Sequence, residues 1–160
     1  MEIQLFKNGV KIGTDKATVY IDPESTVDRG VVILTTPNAS FTTTDERLIV
    51  EGPGEYEFQG IHIKGIRKDN VLSFTISSNE REIYITTSEG FSSIPDDEPF
   101  DAVVVRVTSP LDNSVVSKMP YPLIFIDSKK MLSDEIEVEM VKNINLKKIN
   151  IDERNIFVLQ

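Results

Sequence analysis

The side chains able to do chemistry in this chain are few. His62 is its only imidazole, and there is no cysteine. Hydrolysis by metal-activated water needs about three or four imidazoles or carboxylates converging on one ion. One histidine cannot supply a zinc set, and the missing thiols exclude thiolate zinc sites, disulfides and cysteine nucleophiles. Within Ile61-His62-Ile63-Lys64, strand alternation turns the isoleucines to one face and His62 to the other beside Lys64, so it reads as a surface residue. The densest acidic group, Asp96, Asp97, Glu98 and Asp101, lacks the alternate spacing and central glycine of a calcium loop and reads as a solvated acidic loop.

Hydroxyls are abundant at Thr35, Thr36, Ser40, Thr42, Thr43 and Thr44. A hydroxyl nucleophile needs an adjacent base, and any triad would have to use His62. There is no G-x-S-x-G elbow, and neither glycine-rich phosphate motif occurs. Gly52 and Gly54 are followed by a strand-like pattern rather than a helix N-terminus. Paired carboxylates for glycoside chemistry remain open, but without tryptophan a sugar-stacking platform is thinly supplied.

The elements that must position these residues are mostly strands. Met1–Phe6 and Val10–Thr14 flank Lys7-Asn8-Gly9, where Asn8-Gly9 signals a hairpin turn. A third strand, Ala17–Ile21, ends at Asp22-Pro23, and Val31–Thr35 is a near-continuous apolar run expected to be covered on both faces. Leu48–Val50 leads into Gly52-Pro53-Gly54, a turn in proline and glycine. Alternation runs from Tyr56 and Phe58 through Ile61–Lys64. Val71–Ser77 and Glu82–Thr87 form a hairpin around Ser78-Asn79-Glu80, and a loop at Ser92–Pro99 precedes the buried strand Ala102–Val107. Leu123–Asp127, Lys148–Ile151 and Asn155–Leu159 complete the strands. Ser133–Lys142 matches both periods. Leu132, Ile136, Met140 and Ile144 make a stripe at helical spacing, with Ser133 as N-cap and Lys142 late, and a helix is expected there.

At 160 residues the chain is the size of one domain, with 39% hydrophobic and 27% charged residues. Seventeen basic against 26 acidic residues leave a net charge of −9, which argues against nucleic acid or an anionic membrane as a general electrostatic partner. Lys129-Lys130 and Lys147-Lys148 read as solvated surface. The N-terminus carries no basic leader with an apolar stretch and no apolar run is long enough to cross a bilayer, so a cytoplasmic location is expected.

The stretch Glu51-Gly52-Pro53-Gly54-Glu55-Tyr56-Glu57-Phe58-Gln59-Gly60-Ile61, continuing through Gly65-Ile66, resembles a signature of small zinc-dependent hydrolases of the metallo-β-lactamase fold. The strand order is similar to theirs as well, from the strand ending in Asp22-Pro23 to Leu123–Asp127. The resemblance implies an α+β, strand-dominated, αββα-type sandwich of two sheets with reduced helices, spanning residues 1–160 as one domain. It also implies metal ligands at positions where this chain has none. The place of H-x-H-x-D-H is held by Thr36-Pro37-Asn38-Ala39-Ser40-Phe41, so Thr36, Asn38, Ser40 and Phe41 stand at ligand positions. The second hairpin strand ends in Thr86, Thr87, Ser88 and Glu89, and the late strand in Ile126-Asp127-Ser128. Hydroxyls and an amide are poor zinc ligands.

The resemblance therefore implies the fold and withholds the activity. The expectation is a catalytically inactive binding or scaffold module with no cofactor, catalytic residue or metal ligand. Relic positions are Thr36, Asn38, Ser40, Phe41, Ser88 and Ser128. The former pocket is plugged by Pro37, Ala39 and Phe41, or open and lined by Thr36, Asn38, Thr87 and Ser128; the plugged form is preferred. Pared-down helices would uncover sheet faces and edges, so a homo-oligomer or a protein partner is expected. A first alternative is an enzyme with a hard cation, Mg²⁺ or Mn²⁺, on Asp22, Glu55, Glu89 and Asp127. A second is an unrelated small β-rich domain that only shares the G-P-G-E turn.

Overall fold

The computed structural model describes residues 1–35, 41–79, 81–126, 132, 135–150, 153 and 155–160. The first strands are β1 (Glu2–Phe6), β2 (Gly9–Gly13), β3 (Thr18–Ile21), β4 (Gly30–Ile33) and β5 (Arg47–Val50). They are followed by β6 (Gly54–Phe58), β7 (Ile61–Lys68), β8 (Val71–Ser78) and β9 (Arg81–Thr87). A 3₁₀ helix at Ser88–Ser93 precedes β10 (Ala102–Arg106), and a one-turn helix α1 (Asn113–Val116) precedes β11 (Leu123–Ile126). The last strands are β12 (Glu139–Val141), β13 (Asn143–Asn145) and β14 (Ile156–Leu159).

These build two mixed sheets. The first has six strands in the order β13-β1-β2-β3-β4-β5, and the second has eight in the order β12-β14-β11-β10-β9-β8-β7-β6. Each is antiparallel on one side and parallel on the other, with β3, β4 and β5 parallel in the first and β9, β10, β11, β14 and β12 parallel in the second. Two packed mixed sheets are the αββα-type sandwich anticipated from the sequence, with its helical layers reduced to short turns, and they leave no support for an unrelated β domain.

The main core lies between the sheets. Ile3, Ile12, Val31 and Ile33 of the first sheet meet Ile63, Phe74, Ile85 and Val104 of the second. A second cluster covers the outer face of the parallel strands, where Val103, Val105 and Phe125 pack under Phe91, Phe100, Val116 and Tyr121. This double cover is why β10 and β11 read as unbroken apolar runs. Each fully buried aromatic such as Phe91 or Phe125 contributes about 2 kcal/mol by removing its surface from water. A third, smaller cluster of Val27, Val32, Leu34 and Phe41 sits on the outer face of the first sheet.

The expected uncovered apolar faces do not occur among the described residues. Ile66, at 37% exposure, is the one large hydrophobic left in the open there. Loops cover the parallel strands, and the antiparallel part of the second sheet turns His62 and Lys64 outward instead. A half-polar antiparallel sheet needs no helical cover.

Turn chemistry differs from expectation in an instructive way. The first hairpin turns on Lys7 and Asn8, with φ of 46° and 59°, a two-residue loop of the I′ kind. Gly9 already belongs to β2 and pairs with Phe6. Its glycine is needed for space, because a Cβ there would stand 2.3 Å from the Ile21 carbonyl oxygen. A second turn of the same kind, Asp69-Asn70 (φ 49° and 66°), lets β7 run on to Lys68, past the Ile61–Lys64 alternation.

The C-terminal quarter departs most from the sequence reading. In place of a helix over Ser133–Lys142, Glu139–Val141 is strand β12, aligned parallel to Phe157–Leu159; Ser133 and Asp134 lie outside the described residues. The helical stripe is divided between faces: Leu132 and Ile136 pack in the outer cluster, whereas Ile144 enters the core between the sheets. A free sheet edge offers backbone partners that local helix propensity does not outweigh. Lys148–Asn150 is likewise not a strand, because Lys148 N–H closes a turn onto the Asn145 carbonyl at 2.9 Å; Ile151 lies outside the described residues. The strand that pairs with β1 is Asn143–Asn145.

Candidate functional site

The ends of β3, β4, β9, β10 and β11 meet at one edge of the sandwich, where the sequence reading put the former metal ligands. Asp22 follows β3 with φ 42°, a left-handed conformation that aspartate tolerates better than most residues. Its N–H bonds the Ile33 carbonyl at 2.9 Å, tying it to β4. Its carboxylate is fully engaged. Oδ1 accepts from Thr35 N–H at 2.8 Å, and Oδ2 accepts from Thr35 Oγ1 at 2.6 Å and from Arg106 Nη1 at 2.7 Å.

Arg106 ends β10 in the opposite sheet, so this ion pair spans the two sheets. Its Nη2 reaches the Asn8 carbonyl at 3.1 Å, adding the β1–β2 turn to the same clamp. Beneath it the sheets leave a cavity of only about 10 Å³, lined by Ile21, Asp22, Thr35, Thr86, Arg106 and Ile126. That is room for roughly one water molecule. Among the described residues, the ion pair lies over aliphatic packing at this edge.

Ser88 and Glu89 hold the neighbouring loop. Ser88 Oγ accepts from the N–H groups of Thr108 and Ser109 at 2.8 and 3.2 Å. Glu89 Oε2 accepts from Thr108 Oγ1 at 2.6 Å. That hydrogen bond holds the Glu89 carboxyl below its ordinary range, against an opposing effect of burial. Both residues are spent on fixing the segment after β10.

The other sequence-nominated residues that are described do not gather at this edge. Glu55 is exposed on β6, three strands from β9, which at ~4.8 Å per strand is about 14 Å away. It does not join Asp22 and Glu89, which are committed to different donors. Asp127, Thr36, Asn38, Ser40 and Ser128 lie outside the described residues, as do Pro37 and Ala39. Phe41 is buried, but with Val27, Val32 and Leu34 on the outer face of the first sheet. It therefore does not plug the cleft, because Val31 and Ile33, not Val32 and Leu34, face the other sheet. Thr87, proposed to line an open cleft, ends β9. His62 is exposed near the start of β7, paired across the sheet with Glu57 and Ser77, away from this edge.

Sequence reasoning missed Arg106, and gave Thr35 no role beyond membership of a hydroxyl-rich stretch. A signal was present: an arginine terminates the apolar run Ala102–Val105 as an aspartate terminates β3, and charges at the ends of buried strands seek each other.

Among the described residues no group of three or more histidine or acidic side chains is placed to hold a metal ion. Among the described residues of this edge, the Asp22 carboxylate is taken by the Arg106 guanidinium, a cation that would repel a divalent ion at that oxygen. No helix among the described residues is long and apolar enough to cross a membrane.

The Gly52–Ile66 signature has a structural basis. Gly54 pairs with Gly65 across β6 and β7. A Cβ on Gly65 would lie 2.5 Å from the Gly52 carbonyl oxygen, so the turn can fold over β7 only at a glycine. The Tyr56 hydroxyl then donates to the Gly52 carbonyl at 3.2 Å.

No family model matches this sequence, and no curated protein matches it either. Among solved structures, a Thermotoga maritima protein assigned as a zinc-dependent hydrolase of the metallo-β-lactamase superfamily superposes with a TM-score of 0.68 at 17% identity, covering 99% of this chain and 98% of that one. At that identity the likeness is one of architecture, and this chain has the two-sheet fold of the metallo-β-lactamase superfamily.

Proposed function

We propose that this chain is a metallo-β-lactamase-fold protein that has lost metal-dependent hydrolysis and serves as a binding or scaffold module, through self-association or a protein partner. The observation that carries this reading is the Arg106–Asp22 pair, which sets a cation and its hydrogen bonds at the edge where the family resemblance expects metal ligands. A single histidine in the whole sequence, exposed on a different part of the second sheet, supports the same reading. Fold alone carries no function, so the weight rests on this local chemistry.

The test is native mass spectrometry of protein purified without chelator, paired with light scattering and with ester and phosphodiester hydrolysis assays in the presence of Zn²⁺ or Mn²⁺. Metal-free protein without turnover, forming an oligomer or captured with a defined partner, is the expected result. One stoichiometric divalent ion per chain, together with hydrolysis lost in Asp22→Ala, would overturn the reading in favour of a carboxylate site.

A further inference from the structure

A binding module with no open apolar face must offer something else to a partner, and the sheet edges are what remain. The four edge strands are not equivalent. β12 and β13 are three residues each. β5 is shielded by the chain that precedes it: Thr44 exchanges backbone hydrogen bonds with Arg47, and Thr43 Oγ1 accepts from Ile49 N–H. β6 is five residues long and pairs only with β7. Among the described residues no other backbone hydrogen bond involves Gly54–Phe58. Alternate residues of such an edge turn N–H and C=O outward, a ready template for another strand.

The two faces of β6 specify what that strand must carry. Tyr56 and Phe58 are half-buried and pack against the rim of the main core. Glu55 and Glu57 are exposed on the other face, and neither forms an ion pair with a described residue. A second copy of β6 laid antiparallel would set Glu55 against Glu57, and like charges directly opposite disfavour pairing. A strand with apolar residues at every second position would cover Tyr56 and Phe58 while its alternate basic residues met the two carboxylates.

We propose that β6 is a docking edge for an extended segment of another protein whose residues alternate apolar and basic, joined by β-strand addition. This rests on the binding-module reading above and narrows it from self-association to a protein partner.

The experiment titrates the full chain with an acetylated, amidated six-residue peptide of alternating isoleucine and lysine. A matched isoleucine–glutamate peptide is the control. Binding is read by fluorescence anisotropy and by amide chemical shifts. Saturable binding of the lysine peptide with shifts centred on Gly54–Phe58 is expected, together with at least about tenfold weaker binding of the glutamate peptide. The double variant Glu55→Lys/Glu57→Lys, checked for an unchanged β7–β8 spectrum, is expected to reverse that preference. Equal binding of both peptides, shifts elsewhere, or no saturable binding would overturn the proposal. Hydrolysis and metal content are read on the same samples. A failed titration on inactive, metal-free protein sinks only the docking edge, whereas turnover or a bound ion sinks the module reading itself.

Discussion

Strand β10 carries an ion pair at each end, and the two differ in what they join. At its start Asp101 accepts from Arg81 Nη1 at 2.5 Å and from Glu82 N–H at 2.6 Å. Both partners belong to the neighbouring strand β9, so this pair only reinforces a contact the sheet already makes. At its finish Arg106 reaches Asp22 and Asn8 in the other sheet. The exposures are nearly alike, 31% and 10% against 27% and 12% for the arginine and aspartate side chains. Topology rather than burial separates them. One is local reinforcement, whereas the other fastens two sheets together at the edge where β3 and β10 end.

Mutations at the two ends sharpen that contrast. Arg106→Ala should cost about 2 kcal/mol by urea unfolding, below the ~3–5 kcal/mol of a fully buried pair because part of its guanidinium keeps water. Combined with Asp22→Asn, the loss should fall about 1 kcal/mol short of the sum of the two single variants. Full additivity would mean the clamp is not one unit. Ser88→Ala, which strips the acceptor from two backbone N–H groups beside the clamp, should cost about 1.5 kcal/mol in the same assay. Arg81→Ala should cost no more than about 1 kcal/mol, since the β9–β10 ladder survives without it. A loss equal to that of Arg106→Ala would erase the distinction between the ends.

The smaller effects concern pH and the histidine. The folded Glu89 carboxyl titrates below its ordinary value near 4.5 because Thr108 donates to the charged form. Its contribution is therefore present above that value and lost as pH falls through the depressed folded value. The unfolding midpoint of Thr108→Val should trail the native protein most at pH 7, and the gap should narrow below pH 4. A gap that widens in acid would reverse the assignment. His62→Ala should change stability by less than about 0.5 kcal/mol, as expected of an exposed side chain.

Much of the architecture was legible before folding. The run Val31–Thr35 announced a strand covered on both faces, Ala102–Val107 a buried strand and Leu123–Asp127 a strand, and Gly30–Ile33, Ala102–Arg106 and Leu123–Ile126 all lie inside the sheets. Glu139–Val141 was misread because its residues fit either period, and a helical stripe assumes a single face, whereas these residues divide between two. The candidate site was less legible. Asp22, Ser88 and Glu89 were named from their places in the chain, but as ligands or relics, and the structure commits each to hydrogen bonds that hold loops.

What the sequence determined by itself was set by residue identity and short-range pattern. One imidazole, no thiol and a serial order of alternating and continuous apolar runs are independent of how the chain closes. The pairing of Arg106 with Asp22, 84 residues away, the burial of Phe41 on the outer rather than the inner face, and the isolation of β6 as a bare edge were decided only in three dimensions. Each depends on which strands lie side by side and which sheets face one another. Those choices rest on many weak long-range contacts, and no local stretch of sequence encodes them.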